Sequence, residues 1–344
     1  MAIVAGNDIL ASDFVSSSAG AGDAGKVPKL NAFGKIDPTF LGTVKFGGNG
    51  ADGALSISSG TTTIDLGGAK TYIKNYTTIS ITGTGTLAFI NPHSTGTAIL
   101  LKTTGNITLS SSQTPMIDIS NCGGAGGTAG SVGASSQANG NAGNNGVFGF
   151  LSVGGGSAGA VNAGATGGTS GVFAYDVTAL TSAAVLKYRA TLAPGGGGGG
   201  GAVKTGSGSA ATGGRGGNGA GLLIIECAGT FNFTTTNGLS LKGENGQGYQ
   251  VASGGNREAA GGGGGGNGTI LVLYETAGTI TGTIDTTNSS GGSGASGSIT
   301  NPRPNSGGGG GGLTSAGGGN SYQTLSGPAG GNGFSLITQN TEFA

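Results

Sequence analysis

Seven consecutive glycines at Gly195–Gly201 constrain this chain more than any other feature, and further runs follow at Gly261–Gly266 and Gly307–Gly312. Glycine supplies 83 of the 344 residues, and charged residues only 8%. Because glycine loses more conformational entropy on ordering than any other residue, such a composition normally indicates a linker or disorder. The apolar residues, however, make up 35% of the chain and cluster in short β-like stretches, as a packed core requires. The glycine runs are therefore predicted to belong to the folded interior.

Strands of glycine have a specific way of packing. They favour the polyproline II conformation, which has about three residues per turn and no internal hydrogen bonds. Their buried N–H and C=O groups must then bond to neighbouring strands. The segments "GGRGGNGAG" and "GGAGGTAG" place single larger residues between glycines, without the strict period of collagen. This texture predicts packed segments of the polyglycine II type.

A strand pattern recurs three times between the glycine runs. Each copy has an apolar strand, a glycine turn, an alternating strand and a glycine-rich excursion, with the turns predicted at Gly105, Gly229 and Gly278. The copies span residues 98–127, 222–248 and 269–294. Such repetition without helical periodicity predicts an all-β fold. The expected architecture is a set of short β-strand repeats, solenoid-like or sandwich-like, with packed polyglycine II segments and an extended N-terminal arm.

Composition divides the chain into an arm at 1–46, a β-rich domain at 47–122 and a glycine-rich β/polyglycine domain at 123–344. Residues 24–46 contain two prolines and too few apolar groups to fold alone. We therefore expect the arm to assemble copies into a homo-oligomer, most simply a trimer. The regularly spaced apolar residues that would carry this assembly are Val27, Leu30, Phe33, Ile36 and Phe40.

Charge and hydropathy argue against two classes of partner. The 14 basic and 14 acidic residues are scattered, so the chain lacks the basic patch that DNA and RNA binding requires. The longest apolar stretches are about six residues, far shorter than a membrane span. The N-terminus has neither the basic region nor the apolar region of a cleaved signal peptide. The sequence therefore predicts no export through such a signal.

The residues that usually carry chemistry are few and far apart. His93 is the single histidine, and its "NPHST" setting predicts a turn residue. Cys122 and Cys227 are 105 positions apart, which excludes a cysteine zinc cluster and leaves two buried thiols or one disulfide as alternatives. The carboxylates are isolated. The sequence thus predicts no enzyme, no cofactor and no metal-binding, cofactor-binding or catalytic residue.

Aromatic residues framed by glycine, serine or asparagine mark three segments outside the strand repeats. Such a composition is typical of adaptable binding loops. The alternative is that these rings cap the core. The residues predicted to contact a receptor are Phe148, Phe150, Tyr249 and Tyr322.

The N-terminal stretch "AIVAGNDILASDF", followed by "DAGKVPKLNAFGKIDPTFL", resembles the attachment segment of phage tail-fibre and related virion appendage proteins. The glycine-rich remainder is similar to phage tail-tip adhesins whose receptor-binding domain is a stack of polyglycine II helices. The resemblance implies a virion or extracellular location and a structural appendage subunit that joins other virion proteins through its N-terminus. It also implies binding of a host cell-surface glycan or protein through loops between the glycine tracts.

Two other functions stay open from the residues alone. One is a self-assembling extracellular filament or sheath protein, in which the arm docks on the next subunit. The other is an ice-binding glycine-rich protein, for which the chain lacks Thr-x-Thr arrays on a fixed period. Electron microscopy separates a discrete fibre from an open filament, and thermal hysteresis tests ice binding.

Overall fold

A computed structural model describes most of the chain and its strands. The described residues are 14–15, 27–28, 46–132, 137–148, 151–156, 158–160, 192–205, 210–253, 257–293, 306–312, 326 and 329–340. Within these ranges the secondary structure is entirely β, without a helix, and so no helix there is long and apolar enough to cross a membrane.

The strands, in chain order, are β1 (Phe14–Val15), β2 (Val27–Pro28), β3 (Ala54–Asp65), β4 (Thr71–Tyr76), β5 (Thr78–Ile90), β6 (Ala98–Thr103), β7 (Ile107–Leu109), β8 (Ile117–Asp118), β9 (Ser131–Val132), β10 (Gln137–Ala138), β11 (Gly146–Phe148), β12 (Leu151–Val153), β13 (Val203–Thr205), β14 (Ala210–Thr212), β15 (Leu222–Phe233), β16 (Leu239–Ser240), β17 (Gln250–Ser253), β18 (Arg257–Ala259), β19 (Thr269–Ile280), β20 (Ile284–Asp285) and β21 (Phe334–Gln339).

Eleven of these strands form one parallel sheet, which we describe as three ladders. The first ladder contains β4, β6, the first half of β15, the first half of β19 and β21. The second contains the first halves of β3 and β5, then β7 and the second halves of β15 and β19. The third contains the second halves of β3 and β5, then β8, β16 and β20. Each ladder therefore has five strands.

Side chains from all three ladders fill one main core. Alternation on β5 buries Ile79, Ile81, Leu87 and Phe89, as expected for a strand with one buried face. The strand β6 differs because all six of its residues are buried. Its residues 99 and 101 enter the main core, whereas residues 98 and 100 join a second apolar cluster with Phe46. The strand β6 is thus covered on both faces.

The predicted fold class, an all-β arrangement of short strand repeats with solenoid-like or sandwich-like stacking, is wrong. The strands belong to one 11-stranded, mainly parallel sheet, and parallel pairing of this extent is typical of α/β folds, although the described residues contain no helix. The prediction failed partly because Gly229 and Gly278 do not end a strand. Both lie inside 12-residue strands, β15 and β19, next to shifts in the strand register.

Glycine-rich segments run side by side between the sheet and a distant group of short strands, β9, β10, β13, β14, β17 and β18. We call these segments the glycine bundle and call that group of strands its far end. The bundle contains residues 123–130, 139–145, 154–156, 158–160, 195–201, 213–220, 243–248, 260–268, 289–293, 306–312 and 329–333.

The central strand of the bundle, Gly195–Gly201, bonds to six neighbouring segments. Its seven N–H groups donate in a three-residue rotation, so that residues 195, 198 and 201 all point to the same neighbour. Its seven C=O groups accept in the same rotation, and all fourteen bonds measure 2.7–3.0 Å. This rotation is that of a helix with three residues per turn. The donors reach residues 214–220, 308–311 and 141–144, and the acceptors serve residues 124–130, 263–266 and 156–159.

Glycine is required at the positions that face the centre. A Cβ at Gly140, Gly143 or Gly146 would lie 2.1 Å from the backbone oxygen of Gly200, Gly197 or Pro194, respectively. The exposed residue Ala142, by contrast, lies on the outside of the same segment. The side of this segment that faces the centre is therefore closed to side chains, whereas its outer side is free to vary.

The predicted domain boundaries stay predictions. Strands from both sides of the boundary at residue 122/123 contribute to the same sheet. Of the predicted arm, Phe14 and Val27 are opposite each other in the parallel pair β1–β2. The other arm residues, Leu30, Phe33, Ile36 and Phe40, lie outside the described residues.

Candidate contact surface at the far end of the glycine bundle

Three separate parts of the chain meet at the far end of the glycine bundle. They contain β9 and β10, then β13 and β14, then β17 and β18, and each is carried there by two bundle segments. The six strands pair into two three-stranded antiparallel sheets, β10-β13-β18 and β17-β14-β9. Every sheet at this end thus contains one strand from each of the three parts.

A small apolar cluster holds the two sheets together. It consists of Val203, Ala211 and Ala259, with Ala138 packed against it. On the same strands, Lys204 lies opposite both Gln137 and Glu258 in the register. Glu258 is fully buried and Lys204 is half-buried. A compact, charged centre therefore lies beneath the surface of the far end.

Where the structure describes side-chain exposure at the far end, the accessible side chains include polar, uncharged groups. Ser131 is exposed, and its Oγ lies 3.0 Å from Oγ1 of Thr212 on the neighbouring strand. Asn139 is also exposed. Tyr249 is 37% exposed, and its backbone N–H donates to the Ser293 oxygen at 3.1 Å. Hydroxyl, amide and phenol groups can bind neutral polar ligands by hydrogen bonds, and the ring adds apolar contact area.

Along the side of the bundle, polar side chains tie the outer strands together. Arg215 donates to Oε2 of Glu244 at 3.1 Å, and the same oxygen accepts the N–H of Asn218 at 3.1 Å. The Asn218 side-chain oxygen accepts the N–H of Gly126 at 2.8 Å. Three bundle segments are joined in this way. The polar residues of the "GGRGGN" stretch therefore stabilise the bundle and do not form a ligand site.

The structure separates the predicted contact residues. Tyr249 lies at the far end, whereas Phe148 belongs to the β11–β12 hairpin beside the sheet, where the neighbouring Val147 N–H donates to the Thr95 oxygen. Eight residue steps along the bundle strand lead from Ala138 to Gly146, which corresponds to about 25 Å at the rise of a polyproline II helix. Phe150 and Tyr322 lie outside the described residues, so the role of the set stays a prediction.

The single histidine and the two cysteines lie outside the far end of the bundle. His93 occupies a turn, with Nδ1 2.9 Å from Oγ1 of Thr95. Cys122 and Cys227 are both buried free thiols, so the disulfide alternative does not apply. Among the described residues, no three His, Cys, Asp or Glu side chains are close enough to hold a metal ion.

Sequence reasoning missed the second segment of the far end, which contains Lys204 and Thr212. The sequence feature that could have indicated these strands is the stretch "AVKTGSGSAAT", which contains β-branched residues immediately after a glycine run. Strands of three residues carry too little periodicity to be recognised alone. Their pairing depends on the bundle, which brings distant segments to one place.

Comparison with known proteins found no matching family model, no matching curated protein and no matching solved structure.

Proposed function

We propose that this chain is a non-enzymatic structural subunit of a virion appendage and that it binds the host cell surface through the far end of its glycine bundle. The observation that carries the proposal is the pairing of three distant segments at that end. A surface assembled from several turns on a shared support is a common arrangement for recognition, because the turns can change while the support is kept.

The bundle is well suited to hold such a surface at a distance. All N–H and C=O groups of Gly195–Gly201 are bonded to neighbouring strands, so bending the bundle would break many backbone bonds together. The strands lack side chains on their inner sides, and neighbouring backbones therefore approach closely. A stiff spacer of this kind limits the entropy that the far end loses when it binds.

The chemistry of the far end favours a polar, uncharged ligand. Ser131, Thr212 and Asn139 offer hydrogen-bond donors and acceptors, and Tyr249 offers a ring with a polar tip. We therefore propose a glycan or a polar protein surface on the host cell. Other virion proteins would bind through the N-terminal segment.

Binding of the fluorescently labelled protein to a panel of bacterial strains tests this function. Tyr249→Ala and Ser131→Arg should each abolish binding to the strain that retains the wild-type protein. Ala142→Arg, which adds the same charge on the outside of the bundle, should bind as wild type does. Equal binding by all three variants, or retention on no strain at all, would contradict the proposed host contact.

A further inference from the structure

The parallel sheet is open at both ends. The outer side of β3 ends the second and third ladders, and within the described part of the chain no strand pairs with it. At the opposite end, the second half of β19 and β20 are likewise the last strands. Residues 58–63 on β3 and 275–279 on β19 are exposed to solvent. Unpaired edges of this kind are templates for pairing with another chain.

Apolar core residues reach solvent at the same two ends. Leu55 and Ile64 on β3 are only partly buried although they pack against the main core. At the opposite end, Ile280 and Ile284 are likewise only partly buried and pack against the main core. Ala277 lies opposite the buried Phe231 in the register and is itself exposed. Each end therefore exposes both backbone edges and the rim of the core.

The two ends have complementary steps. The second and third ladders begin with β3, but the first ladder begins one strand later in the chain, with β4. At the other end the second and third ladders finish with β19 and β20, and the first finishes one strand later, with β21. Since each ladder has five strands, the step at one end matches the step at the other.

We propose that copies of this chain stack head to tail, with β3 of one copy continuing the second and third ladders beyond β19 and β20 of the next. All strands of the three ladders run in the same direction, so the pairing across the junction would remain parallel. The register would place Leu55 next to Ala277 and Ile57 next to Ile280, which closes the exposed rim of the core.

Pairing on the first ladder would be shorter. Asp52 already occupies part of the outer side of β4, where its N–H donates to the Asn75 oxygen at 2.8 Å and its carboxylate accepts the Asn75 N–H at 2.7 Å. The side chain of Ile73, two residues before Asn75 on β4, is 43% exposed, and the edge of the strand at Ile73 remains open. The junction therefore depends mainly on the long edge of β3.

This interface is heterologous, because it joins two different surfaces, and it extends as an open stack rather than closing into a ring. It does not depend on the host contact proposed above, since it uses the sheet and not the far end of the bundle. It also differs from a closed trimer, in which the number of copies is fixed.

Two variants can block the two ends separately. The Leu66 N–H donates to Ile90 on the neighbouring strand at 2.9 Å, so by alternation the Thr63 N–H faces the open side of β3. Thr63→Pro therefore removes an edge donor without removing a bond inside the chain. Ala277→Lys places a charge on the rim at the other end, where it stays hydrated in the single copy but would be buried in the stack. Thr63→Ala and Ala277→Ser are the matched controls.

Sedimentation velocity of the full chain over a range of concentrations measures the assembly. The wild-type protein and both controls should form a series of species that lengthens with concentration, and each blocked variant should stay monomeric. A mixture of the two blocked variants should give a complex of one copy of each and nothing larger, because one free end remains on each copy. A wild-type monomer at every concentration, a trimer of constant mass, or blocked variants that assemble like wild type would overturn the proposal. So would a mixture that forms no complex while the wild-type protein assembles.

Discussion

Lys102 and Glu226 lie opposite each other on adjacent parallel strands, and their side chains form an ion pair at 3.1 Å that is almost fully shielded from water. The N–H of Gly47 donates to the same carboxylate at 3.2 Å. Gly47 has φ of +74°, and a Cβ there would lie 2.4 Å from the Thr103 oxygen. The carboxylate of this pair therefore holds the backbone of Gly47 against the first ladder.

Removing one partner of this pair should destabilise the fold strongly. Lys102→Met removes the ion-pair partner of the buried Glu226 carboxylate, for which we expect a loss of about 3–5 kcal/mol in the free energy of unfolding. The double variant Lys102→Met/Glu226→Leu removes both charges and should recover most of that loss. Urea denaturation of the two variants and wild type measures the difference. A single variant as stable as wild type would show that the pair contributes little.

The inner glycines of the bundle should not tolerate even a methyl group. A Cβ on Gly198 would lie 2.1 Å from the Gly263 oxygen, and one on Gly263 would lie 2.1 Å from the Gly308 oxygen. Gly198→Ala and Gly263→Ala should therefore lower stability by about 1–3 kcal/mol or more through overpacking. Ala142→Val, on the outside of the bundle, is the control and should change stability little. Thermal melting curves measure the stability of each variant. An unchanged melting temperature for both glycine variants would contradict the close packing of the bundle strands.

Both cysteines should resist modification in the folded protein. Burial, followed by nearby Asp118 and Glu244, raises the pKa of the Cys122 thiol to about 12, and burial raises that of Cys227 to about 11. Because the thiolate is the reactive form, iodoacetamide at mildly alkaline pH should label neither residue until denaturant is added. Mass spectrometry of labelled protein counts the modified thiols. Rapid labelling of either thiol in the native state would contradict their burial.

Low pH should reduce the stability that Asp285, at the end of β20, contributes to the folded state. Burial favours a higher pKa for Asp285, but hydrogen bonds from the Thr287 backbone and hydroxyl, the charge of Lys242 and the Ser240 hydroxyl together hold its pKa below the ordinary value. The ionised carboxylate therefore stabilises the folded state above the unfolded pKa of about 3.9, and this contribution is lost as the pH falls through the folded pKa.

Asp285→Asn should consequently lower stability by about 1 kcal/mol at neutral pH, and the two proteins should become similar in strong acid. Unfolding by urea at a series of pH values provides the measurement. A difference that stays constant down to the acid limit would show that the carboxylate charge is not involved.

Local features of the fold could be predicted from the sequence, but the pairing between distant segments could not. The alternation around Ile79 and Ile81 indicates a strand with one buried face. It carries no information about whether β5 pairs with the next strand along the chain or with a distant one. The pairs of β6 with β15 and of β15 with β19 join segments separated by glycine excursions, so parallel pairing became visible only in three dimensions.

The candidate site shows the same limit. Tyr249 could be proposed from its setting between glycine and glutamine, because an exposed ring in a polar turn is a familiar signal. The grouping of Ser131 with Thr212 could not, since 81 positions separate them and their contact depends on two bundle segments ending at the same level. The buried Lys102–Glu226 pair was equally hidden, because each residue stands in an apolar strand whose partner is unknown from sequence.

The three-residue rotation of hydrogen bonds around Gly195–Gly201 makes the length of the bundle a shared property of its strands. Adding one residue to a single strand would turn every later N–H towards the wrong neighbour. Adding three would restore the rotation but leave N–H and C=O groups without partners, each at a cost of about 1–3 kcal/mol when buried. The spacer can therefore lengthen only when all its strands gain whole turns together.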